Sequence, residues 1–189
     1  GVEVHLIPVD EIEKNWKKIS EAKGLILGCP TYFGGVSSDF KEFMEKSSIF
    51  FPQQRWKDKF VTGFTCSGAP SGDKLGTLLQ MFIYACQQGM IWVSLASGYT
   101  DAKSELNRLG SWVGLMAQSI DNGQSKVNFS DLKTAEFLAE RMINIISSIV
   151  LLVISVSQLN IFEIDGVFSS AHVRSIERHI EETQYTQND

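Results

Sequence analysis

The sequence predicts an α/β fold, an open parallel sheet with helices on both faces, and three observations predict it. Short apolar or β-branched runs alternate three times with segments of helical periodicity, and a glycine-bearing loop joins the second and third runs to their helices. The run Leu25-Ile26-Leu27 is uninterrupted, the pattern of a parallel strand covered on both faces. With 189 residues, 43% hydrophobic and 21% charged, the chain is long enough for one well-cored domain.

Taken in order, residues 2–9 are short, β-branched and closed by Pro8 and Asp10, which predicts a strand, followed by a helix near residues 11–22. The second strand covers residues 25–27 and runs into the loop CPTYFGG. A helix is predicted from about Ser37, capped by Ser37 or Ser38, with Phe40, Phe43 and Met44 on one face. Residues 60–66 repeat the strand signal and end in SGAPSGD. Leu75, Leu78, Leu79, Phe82, Ile83 and Cys86 then fall at helical spacing until Gln88-Gly89 stops the helix, and residues 90–93 read as a fourth strand.

Charge and cysteine usage narrow the function. A net charge of -5, with a pI near 5.3 and no Lys/Arg-rich stripe, excludes a nucleic-acid partner of the phosphate-neutralising kind. Cys29, Cys66 and Cys86 are odd in number, form no C-x-x-C pair and have no neighbouring histidine, which argues against a disulfide framework or zinc site and for a reducing compartment. No basic segment followed by an apolar core opens the sequence, so a cytoplasmic location is expected. Thiol chemistry at Cys29 or Cys66 is disfavoured, because both stand at strand ends without an evident cation to lower the pKa. His5, His172 and His179 lie outside the glycine-bearing loops and read as surface or helix residues.

In sheets of this kind ligands bind outside the carboxyl ends of the strands. CPTYFGG and CSGAPSGD both fall at that edge. Their glycines let backbone N–H groups approach a ligand; Thr31, Ser67 and Ser71 bring hydroxyls; Tyr32 and Phe33 bring faces on which a ring can stack. A flat heterocycle satisfies all three features. The plainer reading is that the glycines and prolines make tight turns while the aromatics seal the sheet edge.

The segments PTYFGG, GFTCSGAPSGDKL, QQGMIWV and NRLGSWVGLMAQS, in that order and spacing, resemble the FMN-dependent, WrbA-like group of flavodoxin-fold NAD(P)H:quinone oxidoreductases over residues 2–141. The resemblance implies a flavodoxin-like domain over 1–141, a divergent extension over 142–189, bound FMN, and two-electron transfer from NADH or NADPH to a quinone. The flavin then carries the chemistry, so no catalytic side chain is required. It implies that Pro30, Thr31, Tyr32, Phe33 and Gly34 form the loop that borders the flavin ring and Ser67, Gly68, Ala69, Pro70, Ser71 and Gly72 a second ring-contacting loop. Gln88 stands where relatives often place a histidine facing the flavin of a neighbouring subunit; Gln hydrogen-bonds there but does not titrate. Asn107, Arg108 and Trp112 belong to a family-like segment without an assigned role, Arg108 being either a partner for the cofactor phosphate or a solvated surface residue. A homo-oligomer follows from the resemblance alone.

Two departures from the family pattern bear on these expectations. The family's first strand and its phosphate-binding loop have no counterpart here, and charge-assisted hydrogen bonds of about 1.5–3 kcal/mol each are thereby forgone. That leaves as the alternative a flavin-free or electron-carrying flavodoxin-like module, although a carrier would be expected to be more acidic. Residues 142–162 hold no charge. A membrane anchor over 142–162 is weighed there against a buried helix end plus strand, and the second is preferred because Asn144, Ser147, Ser148 and Gln158 interrupt the apolar run. Residues 149–156 are expected to fill the vacated central position of the sheet, and the polar segment from His172 to form an exposed helix.

Overall fold

The computed structural model describes residues 3–97, 105–120 and 126–155, and the chain divides into two compact units, Gly1–Leu151 and Leu152–Asp189. In the first unit β1 (Gly24–Tyr32) and β3 (Phe60–Ser67) lie side by side in parallel, Gly24 beside Phe60 and Pro30 beside Cys66. The full order is β2-β1-β3-β5-β6, where β2 is Gly35–Val36, β5 is Leu115–Ile120 and β6 is Lys126–Val127. The short β4 (Ile91–Trp92) pairs with the start of β3, and β5 takes over along its second half. Parallel pairing of β1, β3, β4 and β5 requires crossovers, and α2 (Ser38–Lys46) and α3 (Lys74–Gln87) provide two of them. The fold is α/β, as the alternation of strands and helices predicts, and flavodoxin-like, as the resemblance implies.

Leu27, Cys29 and Val61 of the two central strands pack against Leu78, Met81 and Ala85 of α3. Trp16, Phe43, Phe50 and Trp56 stack beside them, ring centroids 5.1 to 6.4 Å apart. Ser37 caps α2 by accepting a hydrogen bond from the Phe40 amide at 3.3 Å. Gly89, at φ +72°, ends α3 as its sequence predicts, since a left-handed residue there costs glycine nothing.

Three expectations are corrected. Residues 3–8 form no strand: beyond Thr31 and Tyr32, the edge of β1 opposite β3 has no strand partner among the described residues, Leu6 is 95% exposed, and a strand without a ladder is not stable by itself. Instead a 3-10 turn, Val9–Asn15, leads into the short α1 (Trp16–Glu21). β1 is not covered on both faces, for Leu27, Cys29 and Thr31 are buried while Ile26, Gly28 and Pro30 are exposed. Residues 149–155 are not a strand but the last turns of α4 (Phe129–Ser155), because a helix begun at Phe129 propagates at low cost through its Ala, Leu, Glu and Met residues. The fourth strand, expected over residues 90–93, stands as β4, and a further strand that the sequence did not predict, β5, follows it, its polar residues Gln118 and Ser119 having hidden it from apolar patterning. Among the described residues no helix is long and apolar enough to cross a membrane. Residues 156–162 and the polar segment from His172 lie outside the described residues.

Candidate functional site

Parallel pairing of β1 and β3 carries their two following loops to one edge of the sheet. Tyr32 pairs with Gly35 across a two-residue hairpin, and the residues between them, Phe33 and Gly34, both have positive φ, +50° and +75°. This is the turn geometry that matches strand twist, and Asn-Gly ordinarily fills it. A phenylalanine there is strained, and its ring is fully exposed. Tyr32 is also exposed, so this hairpin presents two aromatic faces to solvent.

The second loop docks on the first. A Cβ placed on Gly34 would contact Asp73 at 3.6 Å, and one on Gly76 would stand 2.2 Å from the Gly34 carbonyl oxygen. Gln80 of α3 accepts from the Val36 amide at 3.3 Å, fastening the hairpin to the helix that follows the other loop. Beneath both, Thr31 Oγ1 lies 2.7 Å from Thr65 Oγ1 and 2.8 Å from Thr77 Oγ1, a buried hydroxyl cluster joining β1, β3 and α3. Within the loop, Gly72 and Asp73 turn at φ +54° and +53°, and the space beside Gly68 is open.

Charged groups fix the loop from below. Lys74, 0% exposed, donates from Nζ to the carbonyls of Ala69 at 2.5 Å and Pro70 at 3.2 Å. Burial pushes its pKa down, with the neighbouring Cys66 and Asp131 acting in the opposite direction. Asp131 is buried, accepts from Arg108 Nη2 and from the Gln118 amide, each at 2.8 Å, and Gln118 Nε2 donates to the Gly68 carbonyl at 2.9 Å. Burial pushes the Cys66 thiol up despite the nearby Lys74 cation. A cation is thus present beside Cys66, which patterning along the sequence did not reveal, yet the thiol stays protonated.

The structure brings Gly34 of the Tyr32–Gly35 hairpin against Asp73 and the start of α3, and residues 67–72 follow the neighbouring strand β3 at the same edge. Thr31 is also there, but its hydroxyl is turned inward and engaged, so its backbone alone faces the edge. Gln88 stands apart, at the opposite end of α3: it is 3% exposed, and its amide donates to Ser47 O and Oγ at 3.4 and 3.3 Å. Its side chain is therefore not presented to a second subunit. Arg108 is not a free surface residue: it is half-buried and paired with Asp131. Asn107 closes its own turn by exchanging hydrogen bonds with Ser111 at 2.8 and 2.9 Å, a structural role that the sequence left open. Patterning missed Lys74, Asp131, Gln118, Thr65 and Thr77; only the GDK tripeptide, a lysine directly behind a glycine turn, offered a local signal.

The edge fits the ring portion of a flavin: two exposed aromatic faces, exposed backbone around Gly68, and a cation beneath the loop. A phosphate-binding loop of the strand-to-helix type expected from the resemblance is not among the described residues. Two concavities, one lined by Val9, Glu13, Asp39 and Lys46 and one along α4 by Phe137, Arg141 and Ile145, do not reach this edge. The described histidine, His5, contacts Glu3 at 3.2 Å and is remote in sequence from both loops. Among the described residues no cluster of histidine, cysteine or carboxylate side chains suits a metal ion.

Strand order, parallel register and paired loops define an α/β protein of the flavodoxin-like class. Residues 3–102, which include both loops, match the family described as NADPH-dependent FMN reductase, and the chain belongs to that family. It is 32% identical over 154 residues to flavodoxin FldP of Pseudomonas aeruginosa, covering 77% of this chain and 84% of that protein. It is 29% identical over 126 residues to an NAD(P)H dehydrogenase (quinone) of Archaeoglobus fulgidus, covering 67% of this chain and 60% of that one. Among solved structures it is similar to a flavodoxin, WrbA-like protein from Agrobacterium tumefaciens, with a TM-score of 0.58 and 35% identity over 72% of this chain and 73% of the other.

Proposed function

We propose that this chain binds FMN at the edge formed by residues 30–34 and 67–72 and is an NAD(P)H:quinone oxidoreductase. The bound flavin supplies the redox chemistry, accepting two electrons from NADH or NADPH and releasing them to a quinone. The chain's own residues bind and orient. Tyr32 and Phe33 offer stacking faces, the backbone of residues 67–72 offers donors and acceptors to the polar rim of the ring, and Lys74 and Gln118 hold that backbone in place. One observation carries the reading: a strained, fully exposed Phe33 is kept at a turn where asparagine would be relaxed, directly beside a loop that the fold packs against it. The similarity to an NAD(P)H dehydrogenase (quinone) supports the choice of donor and acceptor. The reaction is tested by following NADH and NADPH oxidation with a benzoquinone acceptor in FMN-supplemented protein; quinone-dependent turnover supports it and its absence refutes it.

A second reading, an electron carrier without its own turnover, is favoured by the similarity to flavodoxin FldP. Stable FMN uptake with no quinone-dependent NAD(P)H oxidation distinguishes it. A flavin-free module of the same fold would take up no FMN at all. A cytoplasmic location is part of the same proposal and fits the free cysteines. So is a homo-oligomer. The outer face of α3 presents Leu75, Leu79, Phe82 and Ile83 to solvent without a charged side chain among them, and an exposed apolar helix face of this kind is ordinarily covered. A second copy, equally uncharged on this face, suits it. Ile83→Glu is expected to shift an oligomer to monomer in sedimentation experiments, and a wild-type monomer would refute assembly.

A further inference from the structure

Lys74 is a lysine with no exposed surface, placed where an aliphatic side chain would fill the volume without a desolvation penalty. Its two hydrogen bonds go to carbonyls of the ring-facing loop, and among the described residues no carboxylate forms an ion pair with it. Around it stand Cys66, whose thiol is uncharged, and the Arg108–Asp131 pair, in which the charges cancel. Taken together, these groups leave one positive charge, that of the buried Lys74, directly under residues 69 and 70. Holding the loop requires only a donor; it does not require an ion.

We propose that Lys74 is a positioning residue for the flavin-facing loop and that its unneutralised charge makes the site bind reduced flavin in preference to oxidised flavin. The inference rests on the FMN reading above. Two electrons and one proton, a hydride equivalent delivered by NAD(P)H, convert a neutral ring into one with a single net negative charge. A cation held out of water beside the loop attracts that charge more strongly than a solvated lysine would. Reduced FMN is then held more tightly relative to oxidised FMN, and the two-electron midpoint potential of the bound ring rises.

The full chain is loaded with FMN, and the Kd of oxidised FMN and the midpoint potential of bound against free FMN are measured for wild type, Lys74→Met and Asp131→Asn. Lys74→Met is expected to weaken binding of the reduced form relative to the oxidised form at least tenfold, a fall of about 30 mV in the two-electron potential. Asp131→Asn removes the neighbouring negative charge and is expected to move the potential upward. A merely structural Lys74 would weaken both redox forms alike and leave the potential unmoved, which overturns the inference. If Lys74→Met does not fold, Lys74→Gln, which keeps a donor to the two loop carbonyls without the charge, decides: a lowered potential supports the inference, and an unchanged or raised potential overturns it. No FMN uptake by wild type overturns the FMN reading and the inference with it, whereas uptake with unmoved potentials overturns the inference alone.

Discussion

The carbonyl oxygen of Gly34 occupies the place that a Cβ on Gly76 would need, 2.2 Å away. Neither partner in this contact is a side chain, so neither yields by changing rotamer. The hairpin after β1 and the first turn of α3 are locked backbone to backbone, and with them the two loops that form the edge.

Gly76→Ala is therefore expected to destabilise the protein by about 1–3 kcal/mol and to weaken FMN binding, because the loops must separate. Gly68→Ala provides the contrast. The space beside Gly68 is open and its φ is not positive, so alanine there is expected to leave the fold intact or stabilise it by about 0.4–1 kcal/mol. Thermal unfolding of the two variants checks the difference, and equal effects would contradict the lock.

Phe33→Asn relaxes the turn and removes the ring. Stability is expected to rise by about 1 kcal/mol, since asparagine tolerates the left-handed region. FMN affinity is expected to fall several-fold with the loss of a stacking face worth about 0.5–1.5 kcal/mol. Denaturant unfolding and FMN titration of one preparation read both signs. A stability loss would mean that the ring packs within the chain instead.

The hydroxyl cluster predicts a cost at Thr31. Thr31→Val keeps the shape but leaves the buried Thr65 and Thr77 hydroxyls short of a partner, an expected loss of about 1–3 kcal/mol. Thr31→Ser keeps the hydroxyl and is expected to recover most of it. Chemical denaturation of the two variants separates hydroxyl from methyl.

Burial pushes the Cys29 thiol up from its ordinary value. In the pH range above the unfolded thiol pKa, about 8.5, the unfolded chain has released this proton while the folded chain still holds it, so this group makes stability fall as pH rises. Below that range it contributes no slope. Cys29→Ala is expected to flatten the decline between pH 8 and 10, and an unchanged slope would show that another group causes it.

Legibility in the sequence followed the reach of each signal. Ser37 as a cap, Gly89 as a stop and the helical spacing from Leu75 to Cys86 are local patterns, and α2 and α3 stand where these place them. The strand over residues 2–9 had the right composition but depended on a neighbour that composition does not report. Residues 149–155 are β-branched, yet they continue a helix whose direction was set at Phe129. At the loop edge the glycines and aromatics were legible because turns and stacking faces are properties of short segments. Asp131 and Gln118 were not, because their importance arises only when β5 and α4 bring residues 13 to 50 positions apart into hydrogen-bond contact; Lys74 bonds carbonyls four and five positions away, but its complete burial is a property of the packed fold. Gln88 illustrates the converse: the family pattern gave it a place, but its own packing against Ser47 turns it inward.

The central claim is that the loops after β1 and β3 form one flavin-binding edge. Titration of the purified full chain with FMN, followed by visible absorbance and by quenching of flavin fluorescence, tests it most directly. Saturable uptake of one FMN per chain, weakened by Phe33→Asn and by Gly76→Ala, is the predicted result. A protein that takes up no FMN, or takes it up equally well with both substitutions in place, would contradict it.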